Sequence, residues 1–293
     1  MKTGFIGLGN LGIAIAENLL ARQQPLYVYN RTASKAQLLI EKGAIVCSSV
    51  QELAAQCDVV FTIVSDDAAL NHITMGAEGI ASHLRKGGIH ISLSTILPAT
   101  ATALHQLHSQ HGSEYIACPV MGRPDVARAR KINFLVSGHH ESIQQIKPLL
   151  EQAGAVNVWE FGDAPGAANV AKLCSNYLVI TAMEAIAESV NLAKRSNIDT
   201  ALWMQMLTQT YFNAPVYINY SALIMKEAFL PAGFSLQLGL KDMNLILQQA
   251  GTVNARMPVG HQVQSLLQQS LAAGLGDHDI TAVAKTIGES SKA

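Results

Sequence analysis

The stretch Thr3-Gly4-Phe5-Ile6-Gly7-Leu8-Gly9-Asn10-Leu11-Gly12-Ile13-Ala14-Ile15-Ala16-Glu17-Asn18-Leu19-Leu20 joins a short apolar run to an amphipathic helical pattern through three spaced glycines. The spacing is G-x-G-x-x-G. Alone it carries little weight. Between a strand at the N-terminus and the start of a helix it reads as a dinucleotide cradle. Gly7 allows the tight turn, Gly9 lets the backbone approach a pyrophosphate, and Gly12 allows close packing of helix on strand. Asn10 and Leu11 open the helix, whose free N–H groups and positive dipole end favour phosphate.

The alternation begun there continues. Apolar runs that predict strands lie at 3–8, 25–30, 44–47, 58–64, 88–93, 114–118, 132–137 and 156–160. Helical patterns fall between most of them, at 10–22, 34–42, 68–74, 98–111 and 140–153. Strands alternating with helices predict βαβ units and a mostly parallel sheet with helices on both faces. Right-handed crossovers narrow this to a doubly wound sheet. At Gly162-Asp163-Ala164-Pro165-Gly166 the character changes, and the rest of the chain is helical in pattern: 166–195, 199–208, 216–226, 235–250, 257–273 and 279–288. Asp199 and Asp279 stand where N-caps are wanted, and Pro258 suits a first helical turn. The expected fold is α/β, with a doubly wound domain at 1–161 and an all-α domain at 162–293, joined by a long helix.

The end of the second strand bears on cofactor choice. A carboxylate about twenty residues past the glycines commonly holds the ribose 2′-hydroxyl of NAD. This chain has Tyr29-Asn30-Arg31-Thr32-Ala33-Ser34-Lys35 instead. Asn30 and Thr32 can hydrogen-bond, Arg31 and Lys35 can pair with a 2′-phosphate, and the flat Arg31 guanidinium suits an adenine face. The reading favours NADP(H) over NAD(H).

A second feature is a lysine in an apolar helix. In Gly166-Ala-Ala-Asn169-Val-Ala-Lys172-Leu-Cys-Ser-Asn176, the residues Asn169, Lys172 and Asn176 share one face. A lysine there is either an acid/base group tuned by burial or a chain that snorkels to water at a helix start. This stretch alone leaves both open.

Composition sets outer bounds. The chain has 293 residues, 20 Lys+Arg against 21 Asp+Glu, 14% charged and 49% hydrophobic residues. A net charge of −1 offers no general attraction to nucleic acid or anionic membrane. So few charges hint that another subunit covers part of the surface. The apolar stretch 167–193 carries Asn169, Lys172, Asn176, Glu184 and Glu188, which argues for a buried helix and against a membrane span. Cys47, Cys57, Cys118 and Cys174 show no Cys-x-x-Cys spacing and no secretory signal is visible, so a cytoplasmic location is expected. His105, His108 and His111, spaced by three, and the pair His139-His140 read as solvated surface histidines, with no metal site.

Taken together these motifs resemble the β-hydroxyacid dehydrogenases, the group of 3-hydroxyisobutyrate, tartronate semialdehyde and 6-phosphogluconate dehydrogenases and the glyoxylate/succinic semialdehyde reductases. The resemblance runs through nearly the whole chain. After the fingerprint, Ser94-Thr95-Ile96-Leu97-Pro98 is similar to the family's S-T-x-x-P turn, and Pro119-Val120-Met121-Gly122 falls on its substrate loop. Gly166, Lys172 and Asn176 match the catalytic helix, and Phe234 with Lys241-Asp242 a later F…K-D segment. The resemblance implies a Rossmann domain followed by a helical one, with Lys172 as general acid/base and Asn176 holding substrate. It implies cofactor contacts from Val64, Ser65, Thr95, Phe234 and Lys241 as well, and substrate contacts from Ser94, Met121, Gly122 and Arg123. It also implies a homodimer or homotetramer acting on a small hydroxy acid or aldehyde. Three residues depart from the family's loop: Ala117 replaces its usual Asp, Met121 its Ser, and Arg123 its second Gly. The altered loop keeps two alternatives open, an imine reductase on the same scaffold and a non-catalytic NADP-binding protein.

Overall fold

A computed structural model describes residues 1–22 and 25–290, the side chains of 289 and 290 excepted. The chain divides into two compact units, Met1–Lys172 and a second beginning at Leu173.

In the first unit six parallel strands form one sheet: β1 (Thr3–Ile6), β2 (Leu26–Tyr29), β3 (Ile45–Val46), β4 (Val59–Thr62), β5 (Ile89–Ser92) and β6 (Glu114–Ala117). Their order is β3-β2-β1-β4-β5-β6. Every residue of β1, β4 and β5 is buried. Strands covered on both faces by helices need apolar residues throughout, which is why these runs do not alternate. The chain reverses direction across the sheet between β1 and β4, where the crevice past the strand ends is the usual ligand position. Gly7 and Ile63 stand side by side there, each continuing the ladder through one backbone bond, Gly7 N to Tyr29 O and Ile63 N to Ile6 O.

A smaller sheet lies beside this run in sequence: β7 (Val120–Met121), β8 (Ile132–Val136) and β9 (Ala155–Glu160), in the order β7-β8-β9. The sequence reading placed β8 and β9 but not β7. Two residues give no period to detect, and β7 runs antiparallel to β8. The doubly wound domain therefore has two sheets. Asn18 ties the first helix to two helices that flank β8 of the second sheet in sequence. It is buried on the helix Asn10–Leu20, and its Nδ2 donates to Ala127 O at 2.8 Å and Ala153 O at 3.0 Å. A polar residue in that core is tolerated because both bonds are made.

One expectation about histidine is corrected. His108 is not a solvated surface residue; it is 0% exposed, as is His90 on β5. Thr62 Oγ1 lies 2.9 Å from His90 Nε2, His90 Nδ1 lies 3.0 Å from His108 Nε2, and His108 Nδ1 lies 2.8 Å from Ser113 Oγ. Ser113 Oγ donates to His108 O at 3.3 Å, so it accepts from His108 Nδ1–H. That sets the rest: His90 donates from Nδ1, and Thr62 donates to His90 Nε2. Both rings are neutral in this chain of bonds. Burial holds the His90 pKa well below its ordinary value, with His108 adding to the effect. Burial brings His108 down to about 3, helped by His111 and His105. The spacing of three had hidden this, because only the middle residue of the triplet is fully buried.

The second unit is helical. The long helix Ala167–Arg195 enters it from the first unit. After it come Thr200–Gln209, Pro215–Lys226, Leu236–Thr252, Pro258–Ala272 and Val283–Ser290. Asp199 caps the first of these, accepting from Ala201 N and Leu202 N. The long helix is not buried all round. Ile180, Met183, Ile186, Ala187 and Val190 form its buried stripe, while Leu178 and Leu192 are 67% and 68% exposed. The residues at i, i+3, i+6, i+7 and i+10 make one face, so the leucines fall outside it.

Candidate active site

The glycine turn can be tested for a dinucleotide by asking what a side chain would meet at each glycine. At Gly7, where φ is +100°, a Cβ would lie 2.1 Å from Ile63 O. At Gly12 a Cβ would lie 2.1 Å from Gly7 O and 2.7 Å from Ile63 Cγ2. Those two glycines are required by the protein itself. Gly9 is different: a Cβ there would meet nothing within 4 Å. Its openness is not a demand of the fold, and it lies where the backbone must stay bare for a phosphate to approach. The helix that follows, Asn10–Leu20, has no acidic residue in its first turn to oppose an anion. The residues fit the group.

Asn30 holds this turn in shape. Its Oδ1 accepts from Leu8 N at 2.8 Å and its Nδ2 donates to Thr32 O at 2.8 Å. The residue expected to bind cofactor thus also fastens the glycine loop to the end of β2. Arg31, Thr32 and Lys35 beyond it are exposed, and neither cation forms a salt bridge among the described residues. No carboxylate occupies positions 29–35.

The turns after β4 and β5 are tied together. Ser94 is 1% exposed, and its Oγ accepts from Val64 N at 2.8 Å. Asp67 Oδ1 accepts from Leu97 N at 2.9 Å and from Thr100 Oγ1 at 2.6 Å. Asp66 caps the helix Asp67–Thr74 and also receives Ser65 Oγ. Val64 and Ser94 thus hold each other, while Ser65 and the residues just past Thr95, Leu97 and Thr100, are held by two acids that the sequence reading did not single out. Their signal was position: an Asp-Asp pair at a helix start, where only one acid is needed as cap.

Lys172 closes the first unit. It is 9% exposed, and its Nζ lies 3.3 Å from Met121 Sδ. The structure thus brings together the lysine and the loop that the sequence placed 51 residues apart. The helix start is pinned by Ser137, whose Oγ donates to Pro165 O at 3.1 Å and accepts from Ala168 N at 3.0 Å. Gly166 is demanded by contact with Pro98, whose O would lie 2.7 Å from a Cβ. One turn before Lys172, Asn169 is 2% exposed, and its Oδ1 has no hydrogen-bond partner among the described residues. A buried acceptor without a donor is costly, and a donor from a ligand would recover that cost. Gly122 is exposed and Arg123 is half-buried, just before the short helix Pro124–Arg128.

In the second unit Asn176 is 8% exposed, and its Nδ2 donates to Asp242 Oδ2 at 2.6 Å. The other oxygen of Asp242 pairs with Lys241 Nζ at 2.6 Å. Asp242 is itself 3% exposed, so it is a buried carboxylate with a cation on one oxygen and an amide on the other. The sequence reading quoted Asp242 but gave it no role. Phe234 is half-buried, and its N–H donates to Asp279 Oδ2 at 3.3 Å. Asp279 also receives Thr281 N and Thr281 Oγ1, the capping that its position suggested.

Comparison with known proteins finds similar chains over nearly the whole sequence. Residues 2–162 match the profile of the NAD binding domain of 6-phosphogluconate dehydrogenase. Residues 166–287 match that of the NAD-binding domain of NADP-dependent 3-hydroxyisobutyrate dehydrogenase. The uncharacterized oxidoreductase YfjR of Bacillus subtilis is 35% identical over 287 residues, covering 98% of this chain and 100% of the relative. A probable mitochondrial 3-hydroxyisobutyrate dehydrogenase of Dictyostelium discoideum is 30% identical, covering 96% and 88%. Among solved structures, Psf3 in complex with NADP+ and 2-OPP superposes with a TM-score of 0.89 at 27% identity, covering 97% of this chain and 99% of that one.

Proposed function

Because the chain belongs to the β-hydroxyacid dehydrogenase family, we propose that it is an NADP(H)-dependent oxidoreductase interconverting a small aldehyde or ketone and the corresponding alcohol or hydroxy acid. The observation that carries this reading is Lys172, a nearly buried ammonium placed beside the loop residue Met121. When bound, the nicotinamide supplies or accepts the hydride at the carbonyl carbon. Lys172 acts on the oxygen. In reduction its ammonium donates a proton to the oxygen as negative charge builds there; in oxidation the neutral amine takes the hydroxyl proton. Asn176, one turn further along the same helix, orients that oxygen, and Asp242 keeps the Asn176 amide from rotating. Ser94 and Thr95 shape the turn on which substrate and cofactor meet.

The preference for NADP(H) is supported by Arg31 and Lys35, exposed past β2 where no carboxylate repels a 2′-phosphate. Initial rates with NADPH and NADH over small aldehydes, keto acids and 3-hydroxy acids test the proposal. It expects turnover with NADPH at rates well above those with NADH. Cofactor binding without turnover across that panel would overturn it.

A further inference from the structure

The surroundings of Lys172 in the first unit are built for hydrocarbon. Met121 Sδ lies 3.3 Å from Lys172 Nζ, and the Met121 side chain packs against a buried cluster that includes Leu70, Ile96, Leu104 and Leu135. Val64 and Ala171 pack against the same cluster, and Ala117 and Ala168 belong to it. A Cβ on the next loop residue, Gly122, would lie 3.4 to 3.8 Å from Val126 and Ile132 carbons. A thioether has no proton to donate and accepts only weakly.

A small substrate whose chain carried a carboxylate would bring a charge to this surface. It would lose water without gaining a donor from Met121. The cation in contact with Met121 is Lys172 itself. A carboxylate bound there occupies the proton donor and leaves none for the carbonyl, which gives inhibition in place of turnover. An uncharged chain meets the opposite conditions, since a flexible thioether adapts its packing to apolar shapes.

We propose that Met121 selects uncharged substrates, aldehydes or ketones with an apolar chain that ends in no carboxylate. This rests on the redox reading above and narrows it. The test compares kcat/KM for pentanal and for succinic semialdehyde with NADPH, after fluorescence titration has established that each protein binds NADPH. The wild type should prefer pentanal by about tenfold or more, with succinate acting as an inhibitor competitive with aldehyde. Met121→Ser should shift the ratio toward the semialdehyde by about tenfold, while Met121→Leu, which keeps apolar bulk, should retain the wild-type preference. A wild type that favours succinic semialdehyde, with that preference falling on Arg123→Ala, would overturn the inference and leave the redox reading standing. NADPH binding with neither aldehyde reduced would overturn both.

Discussion

Asn176 donates its amide to Asp242 at 2.6 Å, and the two side chains are 8% and 3% exposed. A charge-assisted bond at that depth locks the amide, with Nδ2 toward Asp242 and Oδ1 on its opposite side. Asp242→Asn replaces the acceptor by a group that can also donate, so the amide loses its fixed orientation. The expected result is a fall in kcat of about a hundredfold with little change in the affinity for NADPH. Steady-state rates beside an NADPH titration check it. An unchanged kcat in a folded variant would remove Asn176 orientation from the account.

Gly9 and Gly12 separate binding from folding. A methyl at Gly12 strikes Gly7 O, and overpacking of this kind costs about 1–3 kcal/mol. A methyl at Gly9 strikes nothing, and its φ of −74° is open to any residue. Gly12→Ala should lower the thermal midpoint, whereas Gly9→Ala should keep the midpoint and lose NADPH affinity. Equal midpoints for the two variants would contradict the role given to Gly12.

Arg31 and Lys35 carry the cofactor preference. Each charged hydrogen bond to a phosphate is worth about 1.5–3 kcal/mol, or roughly 10- to 150-fold. Arg31→Ala with Lys35→Ala should raise KM for NADPH by at least the lower figure and leave KM for NADH nearly unchanged. Parallel losses for both cofactors would show that the cations do not read the 2′-phosphate.

The buried His90–His108 pair makes the first unit sensitive to acid. Both folded pKa values lie below the ordinary 6.5, so below that pH the unfolded chain binds protons that the folded chain refuses. Stability is therefore full above about pH 7. It declines as pH falls, down to about 3 for His108. Each histidine costs about 1.4 kcal/mol per pH unit within that window. Urea midpoints measured from pH 7.5 to 4.5 should fall steeply, and His108→Gln should flatten the slope. A flat profile in the wild type would mean the rings titrate normally.

Much of this was legible in the sequence, for reasons that differ by element. The central strands β1, β4 and β5 announced themselves because strands buried on both faces must be apolar, and the glycine turn because steric demands at Gly7 and Gly12 leave one residue type, with Gly9 between them legible only by its spacing. Lys172 was visible as a charge in an apolar helix, but a helix wheel cannot tell a buried amine from a snorkelling one; its contact with Met121 is set by chain segments 51 residues apart. The strand Val120–Met121 was too short to show a period. Asp67, Asp242 and the inward turn of His108 were hidden for a shared reason: polar side chains whose partners come from distant segments leave no local pattern.

The most direct measurement is the single-turnover rate of aldehyde reduction by Lys172→Ala preloaded with NADPH, across pH 6 to 10. With Lys172 as proton donor, the variant binds NADPH as the wild type does. It loses about 10²- to 10⁴-fold in rate. A variant that binds NADPH and retains the wild-type rate and pH profile would contradict the assignment of Lys172.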